Sequence, residues 1–326
     1  MVVRPVRLGR RALVRGLSGL GAVAAFGPGR ARGGVGSGER VLERARSDYN
    51  EIVVTERDTV RTMYFVADGT WYIESRWDTA HPRSLDLDYT RTMMAGFLVR
   101  PEARRLCMIG FGGGQISTYL FERIDGMEVD GVDIDPEVVR LARTYFGVPH
   151  DPRYRTHVAD GRLFVERTPA GPRFDMIVLD AFRGVFVPYH LKTRQFYEAL
   201  RARLAPGGVV VANLHHSTRM YPHDRATFDA VFPSCHAFAS ERGLQTTLVA
   251  CRDAEPLGTF ELRRRARSVA GIFDFDVLGL ASRRYRAPNY PPGGRILEDG
   301  FDPADLPEAV ERHNRACHDD CPYPTH

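Results

Sequence analysis

Arg104–Ser117 reads RRLCMIGFGGGQIS, a short apolar run followed by Gly110, Gly112, Gly113 and Gly114. A glycine cluster of this kind is a flexible turn or a backbone cradle for a ligand, because residues without Cβ accept positive φ and close approach. The flanking sequence favours the cradle. RLCMIGF has the length and composition of a buried strand, and GQISTYLFERI has helical spacing.

The alternation repeats downstream. MEVDGVDID reads as a strand. PEVVRLARTYFG reads as a helix, with Pro136 in its first turn and Gly147 past its end. YRTHVAD is a strand and GRLFVERT a short helix. FDMIVLDAF is an apolar strand, and TRQFYEALRARLAPGG is a helix closed by Pro206-Gly207-Gly208. VVVANLH is a further strand, ATFDAVF is helical, and LQTTLVACR is a late strand. Strands alternating with helices at this spacing predict an α/β fold, a doubly wound and mostly parallel sheet covered on both faces.

Upstream the texture is different. NEIVVTERD, VRTMYFVADG and TWYIESRW are β-rich, and Asp68-Gly69 is a hairpin signal between two of them. They predict a small N-terminal antiparallel β domain over 47–80. LDYTRTMMAGFLV spaces Tyr89, Met93 and Phe97 as a helix, which Pro101 ends. The Rossmann-like domain is expected over 81–282. A Pro/Gly-rich extension over 283–326 is expected to lie on the surface as coil.

The whole chain has 326 residues, 43% hydrophobic and 26% charged, an ordinary globular composition without internal repeats. The net charge of +4 is unevenly spread. Residues 1–46 hold ten arginines against Glu39 and Glu43, a local charge of +8, so the remainder carries −4. A nucleic-acid partner is therefore not indicated. In the basic leader, Arg10-Arg11 precede a weakly apolar run, Gly16–Gly27. This resembles a twin-arginine export signal, although Arg15 interrupts it and no A-x-A cleavage site follows. The other readings are a basic extension of a cytoplasmic protein or a start codon assigned too early. Cys107 and Cys251 lie in apolar runs and read as core thiols. Cys317 and Cys321 stand near His313, His318 and His326 in a tail whose spacing fits no standard zinc finger, so no metal is assigned.

In an open α/β sheet, ligands bind beyond the carboxyl ends of the strands at the switch point. The four glycines occupy the first such turn. Asp133 ends the next strand, where a carboxylate accepts both hydroxyls of a ribose. Asp160-Gly161 end the third, where a carboxylate reads the exocyclic amine of adenine. Together they outline a nucleoside site; the competing reading is that both aspartates only cap the helices that follow. NAD ranks below S-adenosylmethionine-type ligands, because the spacing is G-x-G-G-G-x rather than G-x-G-x-x-G. Asp180 ends the fourth strand, where a group-transfer enzyme places its reacting group.

With these residues placed, Ser47 to Arg252 resembles the spermidine synthase family of aminopropyltransferases, which joins a methyltransferase-like Rossmann fold to a small N-terminal β domain. SDYNEIVV resembles the family's opening strand and VADGTWY its hairpin. IGFGGGQ stands for I-G-G-G-D-G-G, DID for E-I-D, and ADG for G-D-G. LDAFRGVFVP stands for the catalytic loop T-D-S-S-D-P-x-G-P. The resemblance implies that Gly110, Gly112, Gly113, Gly114, Asp133, Asp160 and Gly161 bind decarboxylated S-adenosylmethionine or S-adenosylmethionine as co-substrate. It implies that Asp180 is the catalytic carboxylate, that a small amine is the acceptor, and that the protein is a homodimer.

The departures cluster on the acceptor side. Gly113 stands where the family has Asp, and Arg183 stands where the catalytic loop has its second Asp. Tyr89-Thr90-Arg91 replaces Tyr-His-Glu or Tyr-Gln-Glu. By the resemblance, those acids receive the far ammonium groups of a polyamine. An inward Arg183 at about 5 Å would cost roughly 3 kcal/mol at an effective dielectric of 20. A monoamine, an anionic acceptor or no acceptor then comes into play; the alternative is that Arg183 points to solvent. Tyr89, Arg183 and His215 are the candidate acceptor-side residues. His215-His216 follow the fifth strand and read as a titratable pair or a polar loop. Trp71 and Tyr72 read as packing, and His190 as loop surface. Three functions remain open: an aminopropyltransferase, a methyltransferase of a small acceptor, and a non-catalytic binder of adenosyl compounds or amines.

Overall fold

The computed structural model describes residues 30–32, 38–67, 69–167, 173–182, 187–216, 218–243, 245–253 and 255–316. The leader over 1–29, Arg183 and the tail cysteines lie outside the described residues. Among those residues no helix is long and apolar enough to cross a membrane.

Two sheets organise the chain. The first has five antiparallel strands: β1 (Arg30–Arg32), β2 (Arg40–Arg46), β3 (Glu51–Arg57), β4 (Val60–Ala67) and β5 (Thr70–Asp78), in the order β1-β5-β4-β3-β2. Ala67 pairs with Thr70, so β4 and β5 are antiparallel neighbours on either side of the Asp68-Gly69 signal, of which Asp68 lies outside the described residues. The strands β1 and β2 belong to this sheet although they fall within the segment read as leader. Their arginine-rich composition hides both strands, and β2 is only half-buried.

Two short helices follow, α1 (Asp88–Met93) and α2 (Gly96–Val99). Then come β6 (Arg105–Ile109), α3 (Gln115–Arg123), β7 (Glu128–Asp133), α4 (Pro136–Tyr145), β8 (Tyr154–Val158), α5 (Gly161–Arg167), β9 (Phe174–Leu179) and α6 (Arg194–Arg203). The chain continues through β10 (Leu204–His215), α7 (Tyr221–Val231), β11 (Cys235–Ala239), β12 (Gln245–Cys251), α8 (Thr259–Val269), α9 (Val277–Ser282) and α10 (Leu306–Ala316). The seven strands β6–β12 form a second sheet in the order β11-β12-β10-β9-β6-β7-β8. Strands β8, β7, β6, β9 and β10 are parallel to their neighbours; β12 and β11 close the edge antiparallel.

The central strands read as unbroken apolar runs because each buries both faces. Leu106 and Met108 of β6 pack with α2, α3, α8 and α9, whereas Cys107 and Ile109 pack with α5, α6 and α7. The small sheet is seated on α4: Ile52, Val54 and Met63 bury against Val138, Leu141 and Phe146. Ser47 and Asn50 donate hydrogen bonds of 2.6 and 2.8 Å to Asp135, the residue capping α4. This docking brings the loop before β3, and β5 itself, to the carboxyl edge of the large sheet.

The extension beyond 282 departs from the expected coil. It ends in α10, an amphipathic helix that buries Leu306, Ala309 and Val310. The Pro and Gly residues are concentrated in the strap before it, which masks its periodicity at the level of composition.

Candidate active site

Strands β6, β7 and β8 run outward in one direction, and the chain then crosses back to lay β9 on the other side of β6. The carboxyl ends of β6 and β9 therefore form the switch point, the crevice in which such sheets bind ligands. Two sequence-predicted residues meet there. The Asp180 amide donates to the Ile109 carbonyl at 2.8 Å. Gly110 has φ +84°, and a Cβ on it would lie 2.5 Å from the Asp180 carbonyl oxygen. Only glycine allows the two strand ends to touch.

The glycine turn is held by Asp133. Its Oδ2 accepts the Phe111 and Gly112 amides at 3.0 and 3.1 Å, and its Oδ1 accepts the Asp135 amide at 3.0 Å. Burial pushes the Asp133 carboxyl up to about 6 against these backbone hydrogen bonds. Gly112 lines a cavity; Gly113 instead donates its amide to Ser75 Oγ at 2.8 Å, tying the turn to β5. Gly114 forms the N-cap of α3.

Asp160 does what the capping alternative expects and more. Its Oδ1 accepts the Arg162 and Leu163 amides at 2.9 and 3.1 Å, starting α5. Its Oδ2 accepts from His190 Nε2 at 2.9 Å and from Asn314 of α10 at 3.2 Å. Burial works to raise this carboxyl, yet the His190 and Asn314 hydrogen bonds hold it below the usual range. His190 is not loop surface: it is fully buried against Asp160. Gly161 lines the same cavity, with Ile109 against it.

Asp180 is flanked by two donors. Asn213 of β10 gives a 2.9 Å hydrogen bond to Oδ1, and the Tyr89 hydroxyl donates from α1. Burial raises the carboxyl to about 7 despite both donors. The acid form is thus favoured in the folded chain, so stability falls as pH rises from the ordinary carboxylate range, near 4, through 7. Asp180→Asn removes this dependence. Comparing melting curves, we expect the variant to gain on the wild type between pH 5 and pH 8, by at most about 3 kcal/mol at 1.36 kcal/mol per unit. A constant difference across that range would show that Asp180 does not titrate there.

Two adjoining cavities open at this point. The larger, about 670 Å³, is lined among others by Tyr49, Asn50, Asp133, Asp160, Gly161 and Asn314. The smaller, about 440 Å³, is lined by Tyr89, Leu85, Gly112 and Gln115 among others. Gly110, Glu74 and Asp180 line both. Four carboxylates face the larger cavity, and among its described lining residues there is no lysine or arginine. The field inside it favours a cation. Among the described residues no group of three or more His, Cys, Asp or Glu side chains is arranged to hold a metal.

The acceptor-side candidates divide. Tyr89 is in the smaller cavity. His215 is at the end of β10 but lines neither cavity; burial and its neighbour His216 push its imidazole down. Arg91, which replaces an acid in the resemblance, faces away from the site, to the Leu85 carbonyl at 2.7 Å and Glu241 at 2.9 Å. Arg91→Ala should therefore change ligand affinity by less than about 2-fold and stability by roughly 0–1 kcal/mol, as for a surface pair. A larger change in amine affinity would place Arg91 in the site after all. Residues that sequence reasoning passed over are Tyr49, Asn50, Glu74, Asn213 and Asn314. Asn213 had a signal, as the one polar residue in the apolar run VVVANL. Glu74 and Asn314 had none, because their roles come from a strand irregularity and from a distant helix.

Comparison with known proteins agrees with this architecture. A family model described as "Spermine/spermidine synthase domain" matches residues 89–236. The polyamine aminopropyltransferase of Vibrio vulnificus is 28% identical over 271 residues, 82% of this chain and 91% of that protein. That of Chromobacterium violaceum is 28% identical over 251 residues, 76% and 94% of the two chains. Among solved structures, a probable spermidine synthase from Corynebacterium glutamicum superposes with a TM-score of 0.63 at 21% identity, over 81% of this chain and 98% of the other. Spermidine synthase from Thermotoga maritima gives 0.60 at 20%, over 77% and 85%. At those identities the superpositions establish the fold.

Proposed function

We propose, from its likeness to the spermine/spermidine synthase family of aminopropyltransferases, that this chain transfers an aminopropyl group from decarboxylated S-adenosylmethionine to a small amine. The observation that carries this reading is the place of Asp180, in the wall shared by two cavities. One cavity takes the nucleoside and the other the acceptor.

The residues suit such a donor. The glycine turn leaves room for close approach, Asp133 would meet the ribose, and Asp160, whose oxygens already accept four hydrogen bonds, would line the adenine end of the cavity. The carboxylates that face the cavity match a ligand carrying a sulfonium charge. A donor of this kind supplies a carbon bonded to a good thioether leaving group. The amine nitrogen forms a bond to that carbon, the C–S bond breaks, and its electron pair leaves with the neutral thioether, which needs no acid.

The protein's work lies on the amine. With a pKa near 10, freeing its lone pair at pH 7 costs about 4 kcal/mol at 1.36 per unit. Asp180 can hold the ammonium, orient it and accept the proton. Its own upward shift, to about 7, brings base and amine closer in strength than an ordinary carboxylate would be. Tyr89 and Asn213 fix its orientation. Bringing amine and sulfonium together supplies much of the remaining acceleration.

The test is product analysis by mass spectrometry, after incubating the chain with decarboxylated S-adenosylmethionine and a panel of mono- and diamines. Amine-dependent release of methylthioadenosine, with an aminopropylated amine, is the expected result. Methyl transfer from S-adenosylmethionine instead would overturn it in favour of a methyltransferase. Calorimetric binding of the adenosyl ligands without turnover of any amine would leave a binding protein.

A further inference from the structure

Asp160 reaches the larger cavity with its acceptor capacity already in use. Its Oδ1 accepts the two amides that start α5, at 2.9 and 3.1 Å. Its Oδ2 accepts from His190 Nε2 at 2.9 Å and from Asn314 Nδ2 at 3.2 Å. An ionised carboxylate offers about four lone-pair sites and no hydrogen to give. A further donor joins only by displacing one of these partners, and a ring nitrogen in need of a donor finds none on Asp160. Two of the partners are backbone amides, and His190 is fully buried. The remaining one, Asn314, is half-buried, lines the cavity and belongs to α10.

Several separate contacts hold α10 in that place. Ahead of the helix, the Leu297 carbonyl accepts the Arg194 amide and the Leu297 amide donates to Thr227 Oγ1, both at 2.8 Å. Arg162 pairs with Asp299. Within the helix, Leu306, Ala309 and Val310 are buried. The His313 ring stacks on His190, with centroids 5.6 Å apart and planes 17° apart, and meets Tyr189 edge-on. Burial, and then His190, push the His313 imidazole down to about 4, so it packs there uncharged at neutral pH. Asn314 is therefore presented to the cavity by an anchored helix.

The contact with Asp160 also fixes which way the carboxamide faces. Against the pull of burial, the hydrogen bonds of His190 and Asn314 hold Asp160 below the usual carboxylate range, so it only accepts. Nδ2 of Asn314, and not Oδ1, must then be turned towards it. A carboxamide carries a donor nitrogen and an acceptor oxygen side by side, the complement of adenine's amine and a neighbouring ring nitrogen. Held in one orientation it suits adenine and opposes hypoxanthine, whose carbonyl and ring N–H reverse the order.

We propose that Asn314 reads the amine edge of the donor's adenine, with Asp160 behind it as the positioning residue that orients the carboxamide. The inference rests on the nucleoside reading of the larger cavity.

Calorimetry on the full chain with methylthioadenosine and its hypoxanthine counterpart tests this. The wild type should prefer the adenine ligand. Asn314→Ala should weaken methylthioadenosine by about 5- to 150-fold, the usual worth of a paired contact to a base edge, and bring the two ligands within about 2-fold of each other. Asp160→Asn should narrow the preference too, because an amide there can accept or donate and lets Asn314 turn over. An unchanged preference in that variant overturns the role given to Asp160. Should Asn314→Ala fail to fold, Asn314→Gln keeps the carboxamide one methylene further out, and the preference should survive with weaker binding; its loss there overturns the proposal. Equal losses for both ligands in Asn314→Ala would leave Asn314 as a support for α10 and overturn the proposal. Tighter binding would overturn it as well, by showing that Asn314 occupies the adenine's place. So would a wild type that binds both ligands equally. Absence of methylthioadenosine binding to the wild type overturns the nucleoside reading, and the proposal with it.

Discussion

Asp180→Asn should lower turnover by roughly 100- to 10,000-fold, the range for losing a positioned base, while affinity for methylthioadenosine stays close to wild type. Asn has nearly the shape of Asp but cannot take a proton from an ammonium. Asn213 and Tyr89 both donate to the native carboxylate, and the Asn side chain can keep one of them satisfied through its carbonyl. The variant should therefore remain folded with its cavities intact. Its pH profile should lose an ionisation near 7, the value to which burial raises Asp180. Full turnover in Asp180→Asn would mean that the proton leaves by another route. His215 would be a poor replacement, since it lines neither cavity.

Asp133→Ala should weaken adenosyl binding by about 1.5–3 kcal/mol, or roughly 10- to 150-fold. Two causes contribute. The substitution removes the carboxylate placed for the ribose hydroxyls, and it releases the Phe111 and Gly112 amides that Asp133 holds at 3.0 and 3.1 Å. A titration with the matching deoxyribose analogue separates them. If the ribose contact matters, the wild type discriminates against the analogue and Asp133→Ala does not. Equal discrimination by both proteins would leave Asp133 as a support for the turn and nothing more. Unchanged affinity for every adenosyl ligand would move the nucleoside site elsewhere.

The neighbours of Asp160 and Asp180 come together from far apart in the chain. Asp160 is bonded by His190 and by Asn314, and Asp180 by Asn213 and Tyr89. Asn314 of α10 therefore lines the larger cavity beside Asp160, whereas Tyr89 of α1 and Ser75 of β5 line the smaller one. Arg162 binds the C-terminal strap to α5 through a pair with Asp299, and its guanidinium also lies over Phe301. The extension is thus packed against α5 and Asp160, beside the larger cavity, rather than appended to the protein.

The large sheet was legible in the sequence because its signals are local. An apolar run of five or six residues buried on both faces, a glycine turn, and a helix with Asp135 and Pro136 at its start are each specified by neighbours in the chain. The places of Gly110, Asp133, Asp160 and Asp180 at strand ends follow from that alternation alone. The strands β1 and β2 were not legible, because such arginine-rich segments carry no apolar period, and β2 is only half-buried. What only the tertiary structure decided is which polar groups face those strand ends. Arg91 turns to Glu241 and leaves the site, His190 is buried against Asp160, and Glu74 is swung inward by a bulge one residue before Ser75 meets Gly113. Local pattern records which face of an element is apolar. The direction of a single charged side chain is set by the nearest opposite charge or cavity, and here those lie on other elements, tens to hundreds of residues away along the chain.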